Sequence, residues 1–84
     1  MRAGDLHLGD MVWSAELPDE GLVVRSHREY RRLGRGSCPS RRVPMASFRE
    51  DGTVGWFLVP VDAEVDRIGG GTLDPMSHDG RTWR

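Results

Sequence analysis

The side chains best suited to chemistry are concentrated in residues 25–42, which read RSHREYRRLGRGSCPSRR. This stretch holds seven arginines and one carboxylate, although the whole chain has a formal net charge of -1. Clustered guanidinium groups bind phosphates or carboxylates through paired N–H donors. We therefore predict that the contact surface of the protein lies here. Its candidate residues are Arg25, His27, Arg28, Arg31, Arg32, Arg35, Arg41 and Arg42.

Two classes of ligand suit this arginine stretch. Phosphates would give nucleic-acid binding that weakens steeply with salt, and an acidic protein surface would bind by charge complementarity. The sequence pI of about 6.3 is low for a nucleic-acid-binding domain. We therefore favour a protein-interaction module and keep nucleic-acid binding as the alternative. In a third interpretation, the stretch folds against the chain's own carboxylates and leaves a surface of mixed charge.

All twelve basic residues of the chain are arginine. Either codon bias in a high-GC genome or selection for bidentate contacts, which lysine cannot make, explains this composition. Combined with the small size, it suggests a small accessory or regulatory protein from a bacterium or a phage.

The other reactive residue types form no recognisable catalytic or metal-binding motif. The three histidines and the single cysteine, Cys38, lack the spacing of a zinc site. Ser26-His27 and Ser77-His78 are adjacent pairs, and adjacent side chains on a strand point to opposite faces. We predict a protein without enzymatic activity, metal or cofactor.

Length and composition predict one small domain in a reducing compartment. Eighty-four residues suffice for a single domain, and one cysteine cannot form an internal disulfide. No apolar run approaches the roughly 20 residues that span a bilayer, and the first residues lack the apolar core of a signal peptide. We expect a soluble cytoplasmic protein.

Alternating apolar residues and frequent turn signals predict a mostly β structure. The expected strands cover 11–13, 21–30, 42–50 and 53–61, with a loop at 31–40. In the second strand, Tyr30 would share a face with Leu22 and Val24. Pro44 predicts an edge or bulged position for the third strand, because proline lacks the ladder donor. Asp51-Gly52 predicts a hairpin with a type I′ turn.

The segment after Pro60 allows two interpretations. It either continues the fourth strand, or forms a short 3-10 turn at 61–64 followed by a fifth strand at 65–68. We favour the second, because strands longer than about ten residues are uncommon. Residues 69–84 show no period and are predicted to be a flexible tail, in which Trp83 could dock on a partner or on the domain.

Three short motifs carry a resemblance to a known fold. LGDMVW opens the first strand, EGLVV the second, and the Asp-Gly hairpin leads into VGWF. Over about residues 6–68, this order resembles the SH3-like small barrels of the Tudor, KOW and PWWP kind. Strand number and turn spacing predict a small all-β barrel or sandwich of four to five antiparallel strands, and the resemblance implies the barrel. Residues 1–68 would form the domain and 69–84 the tail.

Overall fold

The computed structural model describes residues 1–17, 21–70 and 82–84. A 3-10 helix at Ala3–Asp5 precedes the first strand, and helix α1 covers His27–Arg32. The strands are β1 (Asp10–Trp13), β2 (Leu22–Val24), β3 (Arg42–Phe48), β4 (Val54–Pro60) and β5 (Asp66–Gly70). The prediction of a mostly β fold of four to five antiparallel strands is confirmed, with five strands observed.

The five strands form one sheet in the order β4-β3-β2-β1-β5. β1 pairs with β2, β2 with β3 and β3 with β4, and β5 returns to pair with β1. Within the described residues the sheet is open, because β4 and β5 lie at its two edges and do not pair with each other.

One face of the sheet carries the hydrophobic core. Alternate residues of the strands point to this face, as the period of two requires, and the 3-10 helix and Trp83 complete it. The buried core residues are Ala3, Leu6, Val12, Leu22, Val24, Val43, Met45, Val59, Val65 and Trp83. The opposite face has its own apolar row, in which Val23, Ala46 and Trp56 are register neighbours.

The predicted second strand is wrong beyond Val24, because helix α1 replaces its second half. Ser26 is the N-cap of α1, and its hydroxyl accepts a hydrogen bond from the Glu29 N–H at 3.0 Å. Serine followed three residues later by glutamate is a helix-start signature, which the alternating pattern concealed. Tyr30 is therefore helical and does not share the face of Leu22 and Val24.

The Asp51-Gly52 hairpin joins β3 to β4 as predicted, but its turn is not type I′. The Gly52 N–H donates to the Arg49 carbonyl at 3.1 Å, so Glu50 and Asp51 are the central residues of the turn. Gly52 has a φ of 86°, whereas no described non-glycine residue has a positive φ. This is the longer hairpin loop, in which a glycine follows the turn in the left-handed region.

The prediction that Pro44 places its strand at an edge or in a bulge is wrong. β3 lies between β4 and β2, and its register with β4 is regular from Arg42 to Phe48. The Arg25 N–H donates to the Pro44 carbonyl at 2.9 Å. The N–H that Pro44 lacks would point to that same side, just beyond Val24, where the β2 ladder ends.

The favoured interpretation of the segment after Pro60 is confirmed for the strand, and the predicted short 3-10 turn is reduced to one i→i+3 hydrogen bond. β5 follows β4 as a separate strand, and a single turn closed by the Ala63 N–H and the Pro60 carbonyl at 3.0 Å lies between them. The Val61 and Ala63 carbonyls accept hydrogen bonds from Gly4 and Ala3. Residues near the N-terminus thus donate to the carbonyls that a longer 3-10 helix would need for its own hydrogen bonds.

The predicted tail, residues 69–84, lies largely outside the described residues. At its start, Gly69 and Gly70 belong to β5. Near its end, Trp83 is only 1% exposed and packs in the core of the domain. Among the described residues, the α-helical segment is too short to cross a membrane.

Candidate functional site

The arginine stretch folds into α1, the loop after it and the first residue of β3. Some of its predicted site residues are held by the protein itself. Arg25 forms a bidentate ion pair with Glu29, one turn later in the chain, with 2.9 Å between Nη2 and Oε1. Its guanidinium also lies 6.0 Å from the ring centroid of Phe48, within cation–π range. Arg25 therefore joins α1 to β3.

His27 is an anchor for the C-terminal residues. Its backbone N–H donates to the Trp83 carbonyl at 2.8 Å, and its ring centroid lies 5.1 Å from that of Trp83. The ring Nε2 lies 2.8 Å from the Arg42 carbonyl oxygen. Because a carbonyl can only accept, Nε2 carries the proton of this bond. These contacts give His27 a structural role.

Arg42 and Cys38, like Arg25 and His27, bind other parts of the protein. The Arg42 Nη1 donates to the Leu58 carbonyl at 3.0 Å, so this guanidinium crosses from β3 to the edge strand β4. The Cys38 Sγ donates to the Arg42 carbonyl at 3.4 Å. Burial raises the pKa of the Cys38 thiol, and the Arg42 guanidinium partly lowers it. A raised pKa favours the protonated thiol, which is a poor nucleophile.

Five predicted site residues have a different environment, and we call them the arginine surface. They are exposed and form no ion pair within the described part of the chain: Arg28, Arg31, Arg32, Arg35 and Arg41. Arg31 and Arg32 lie in the last turn of α1, where the helix dipole favours positive charge. Each of these five arginines is exposed to solvent.

The described carboxylates do not neutralise the arginine surface. Two other ion pairs, Arg67–Asp10 at 3.0 Å and the N-terminal ammonium with Glu64 at 3.2 Å, involve none of these five arginines. Among the described carboxylates, Glu29 is the one that pairs with a predicted site residue, Arg25, as the third interpretation expects. Charge is therefore segregated on this part of the molecule.

The aromatic residues of the described part of the chain fall into separate groups. Tyr30 packs edge-on against Trp56 with ring centroids 5.1 Å apart, and Phe48 is 57% exposed nearby on β3. Phe57 packs against the core instead. Trp13 lines a different groove of about 330 Å³ with Glu16, Glu64 and Asp66 among its walls. The described residues form no single aromatic cage.

The described residues also bring no group of three or more His, Cys, Asp or Glu side chains together as metal ligands. No family model matches the chain, and neither does any curated protein or solved structure. The geometry of the arginine surface is therefore the basis for the functional proposal.

Proposed function

We propose that this protein is a non-enzymatic interaction module that docks on the acidic surface of a partner protein. The observation that carries the proposal is the arginine surface, with its exposed guanidinium groups that no described carboxylate neutralises. In the same stretch, Arg25 and Arg42 bind groups of the protein itself. A high arginine content alone therefore does not explain why the other five arginines are exposed without an ion pair.

The arginine surface is unfavourable for the isolated chain. Arg28 lies three and four residues before Arg31 and Arg32 on α1, and like charges at these spacings destabilise a helix by a few tenths of a kcal/mol per pair. A partner carboxylate would relieve this repulsion. Complementary charge would also speed and orient the encounter, with a strong dependence on ionic strength.

The proposal includes an SH3-like arrangement of the Tudor, KOW and PWWP kind as the fold of this module. Its support is the strand order, in which β1 to β4 form a meander and β5 returns to β1 after a short turn. In such a meander, the connection between β2 and β3 is a loop that carries α1. Loops on a rigid sheet are common sites of binding.

Nucleic-acid binding through the same residues is the second candidate. The observation in its favour is Phe48, whose exposed ring lies on β3 beside Arg25. An exposed aromatic ring next to a guanidinium is a platform on which an unpaired base can stack. Arg25 is already paired with Glu29, which leaves less charge for a phosphate at this position.

The two candidates are separated by titrating one set of labelled probes at low and moderate salt. The probes are a glutamate-rich peptide, duplex DNA, single-stranded DNA and single-stranded RNA, with fluorescence anisotropy as the readout. We expect the peptide to bind more tightly than any nucleic acid of equal charge. Tighter binding of a nucleic acid would establish the second candidate, and no binding of any probe at low salt would refute both.

The residues are tested by replacing Arg31, Arg32 and Arg35 together with alanine. We expect this variant to bind the peptide at least about tenfold more weakly and with a flatter salt dependence. The control is Arg2→Ala, an exposed arginine outside the arginine surface. An unchanged affinity and salt dependence in the triple variant would place the contact elsewhere.

A further inference from the structure

The edge strand β4 is the most apolar stretch of the chain, and among the described residues the protection of its outer edge is limited to Pro60 and the Arg42 guanidinium at one end. Residues 54–59 read VGWFLV, with no charged side chain, and the other edge of β4 pairs with no described residue. Proteins normally guard an exposed edge with charges, bulges or a covering segment, because its free backbone groups pair with other chains. The free backbone groups of this edge are therefore available to pair with a strand from another chain.

The direction of the backbone groups along β4 follows from its pairing with β3. The Thr53 carbonyl accepts from the Arg49 N–H and the Val61 N–H donates to the Arg41 carbonyl, just beyond the two ends of β3, and successive residues of a strand point their backbone groups to opposite sides. Residues 55, 57 and 59 therefore face β3. Val54, Trp56 and Leu58 present their N–H groups to the open edge.

Beside this edge lies a groove of about 380 Å³. Much of its wall is apolar, with Leu17, Phe57, Val59, Ala63 and Val65 contributing side chains that pack on or belong to the core. A strand added to β4 would point alternate side chains towards Phe57 and Val59, and so into this groove. Its other side chains would point to the opposite face of the sheet.

One end of the edge is positively charged. Arg42 is the register partner of Pro60, its Nη1 already reaches the Leu58 carbonyl, and the exposed Arg41 precedes it. The groove itself includes Glu16, which disfavours acidic side chains inside it. Acidic residues of a bound chain would therefore lie beyond the groove, at the Pro60 end of β4. There they would meet Arg42 and Arg41, which belongs to the arginine surface.

We propose that the partner binds as an extended segment that adds an antiparallel strand to β4, with alternate apolar residues in the groove and an acidic run before them. The antiparallel direction places that N-terminal run against Arg41 and Arg42. The Leu58 carbonyl has two lone pairs, so it can accept from the added strand and from Arg42 together. This inference rests on the proposed function, because it specifies the form of the acidic partner.

The test uses a synthetic peptide in which a glutamate run precedes an alternating threonine and valine segment as long as β4, which has seven residues. Amide hydrogen exchange of the full chain is measured by NMR with and without the peptide. We expect the Val54, Trp56 and Leu58 amides to exchange fast alone and to be protected in the complex. The amides of residues 55, 57 and 59 should be protected in both states.

Three control peptides isolate the parts of the proposal. N-methylation of alternate backbone nitrogens should abolish the edge protection, since it removes the strand's donors. Moving the glutamate run to the C-terminus should weaken binding, because an antiparallel strand would then carry it away from Arg41. A glutamate run alone should bind the arginine surface without protecting the edge.

A pair of variants tests the edge in the protein. Leu58→Pro removes an N–H that β3 does not use, whereas Leu58→Ala removes the side chain and keeps that N–H. We expect Leu58→Pro to bind the peptide about tenfold more weakly than Leu58→Ala. If Leu58→Pro does not fold, the N-methylated peptide makes the same comparison on the native chain.

Three results would overturn the inference. Edge amides already protected in the free chain would mean that the chain covers its own edge, and protection that grows with protein concentration would make a second copy the occupant. Peptide binding without alternating protection would refute strand addition while leaving the arginine surface as an acidic binding site. Failure of every glutamate-containing probe would instead refute the proposed function itself.

Discussion

The arginine stretch contains two regions, both rich in arginine. We call Arg25, His27, Cys38 and Arg42 the anchored region, because their side chains bind other parts of the protein, and the second region is the arginine surface. In the anchored region, Arg25 is paired with Glu29, and His27 binds the Arg42 carbonyl and contacts Trp83 through its backbone N–H and its ring. In the arginine surface, the side chains face solvent without a described ionic partner. The comparison shows that the role of each arginine depends on whether the fold brings a carboxylate or a carbonyl to its guanidinium group.

The two regions also meet within one short helix. α1 begins at the Ser26 cap beside Trp83 and ends with Arg31 and Arg32 in solvent. Its first turn is fixed by the Ser26 cap and by His27, and Tyr30 packs on Trp56, whereas Arg31 and Arg32 are exposed at its end. If this division is correct, substitutions in the anchored region should change stability and substitutions in the arginine surface should change binding.

The largest effect is expected from Trp83→Ala. Trp83 is 1% exposed in the core, and truncating a buried tryptophan typically costs about 3–5 kcal/mol of unfolding free energy. Urea denaturation measures this loss. The control is Trp13→Ala, at a 40% exposed tryptophan, where we expect about 1 kcal/mol. Equal losses in the two variants would contradict the anchoring of the C-terminal residues.

A smaller loss is expected from Ser26→Ala. The Ser26 hydroxyl satisfies the Glu29 N–H in the first turn of α1, and removing such a cap costs about 1 kcal/mol. The matched control is Ser37→Ala in the exposed loop, which should leave the unfolding free energy unchanged. A Ser26→Ala variant as stable as the control would mean that the first turn of α1 is not fixed by its cap.

Almost no loss of stability is expected when Arg31, Arg32 and Arg35 are replaced together with alanine. Exposed substitutions away from structural contacts usually change stability by less than about 0.5 kcal/mol each, and this one also relieves like-charge repulsion. The unfolding free energy should stay the same or rise slightly. A clear decrease would show that the arginine surface belongs to the folded structure rather than to binding.

The smallest effect concerns the reactivity of Cys38. Burial raises the pKa of this thiol despite the Arg42 guanidinium nearby, so the thiolate fraction is low at neutral pH and increases as the pH rises through the pKa. We expect iodoacetamide to alkylate Cys38 more slowly than an unfolded peptide of residues 36–40, with the difference closing at high pH. Faster alkylation at neutral pH would mean that the arginines activate the thiol.

Much of the fold could be predicted because its signals are local. Turn residues and alternation located β1, β3, β4 and β5 within a few residues, and the Asp51-Gly52 hairpin was expected. The second strand failed because period-two alternation and a capped helix compete over residues 25–30. Alternation ignores the Ser26–Glu29 hydrogen bond, which closes a helical turn and ends β2.

The sequence is enough to locate the arginine stretch, but not to tell which of its side chains bind the protein itself. Composition identified the arginine stretch, but only the fold shows that Arg25 meets Glu29 and that His27 and Arg42 meet across α1 and β3. The sequence also gave no sign that its longest apolar run would become the edge strand β4. Which strand lies at an edge depends on the order of the whole sheet, and that order is not a local property.

The most direct test of the central claim is an NMR titration of the arginine side chains. The Nε–Hε signals of the labelled protein are followed while the glutamate-rich peptide is added at low salt. We predict that Arg28, Arg31, Arg32, Arg35 and Arg41 shift together, while Arg25 keeps its signal because Glu29 already binds it. A shift of Arg25 with no change in the other five would contradict the account.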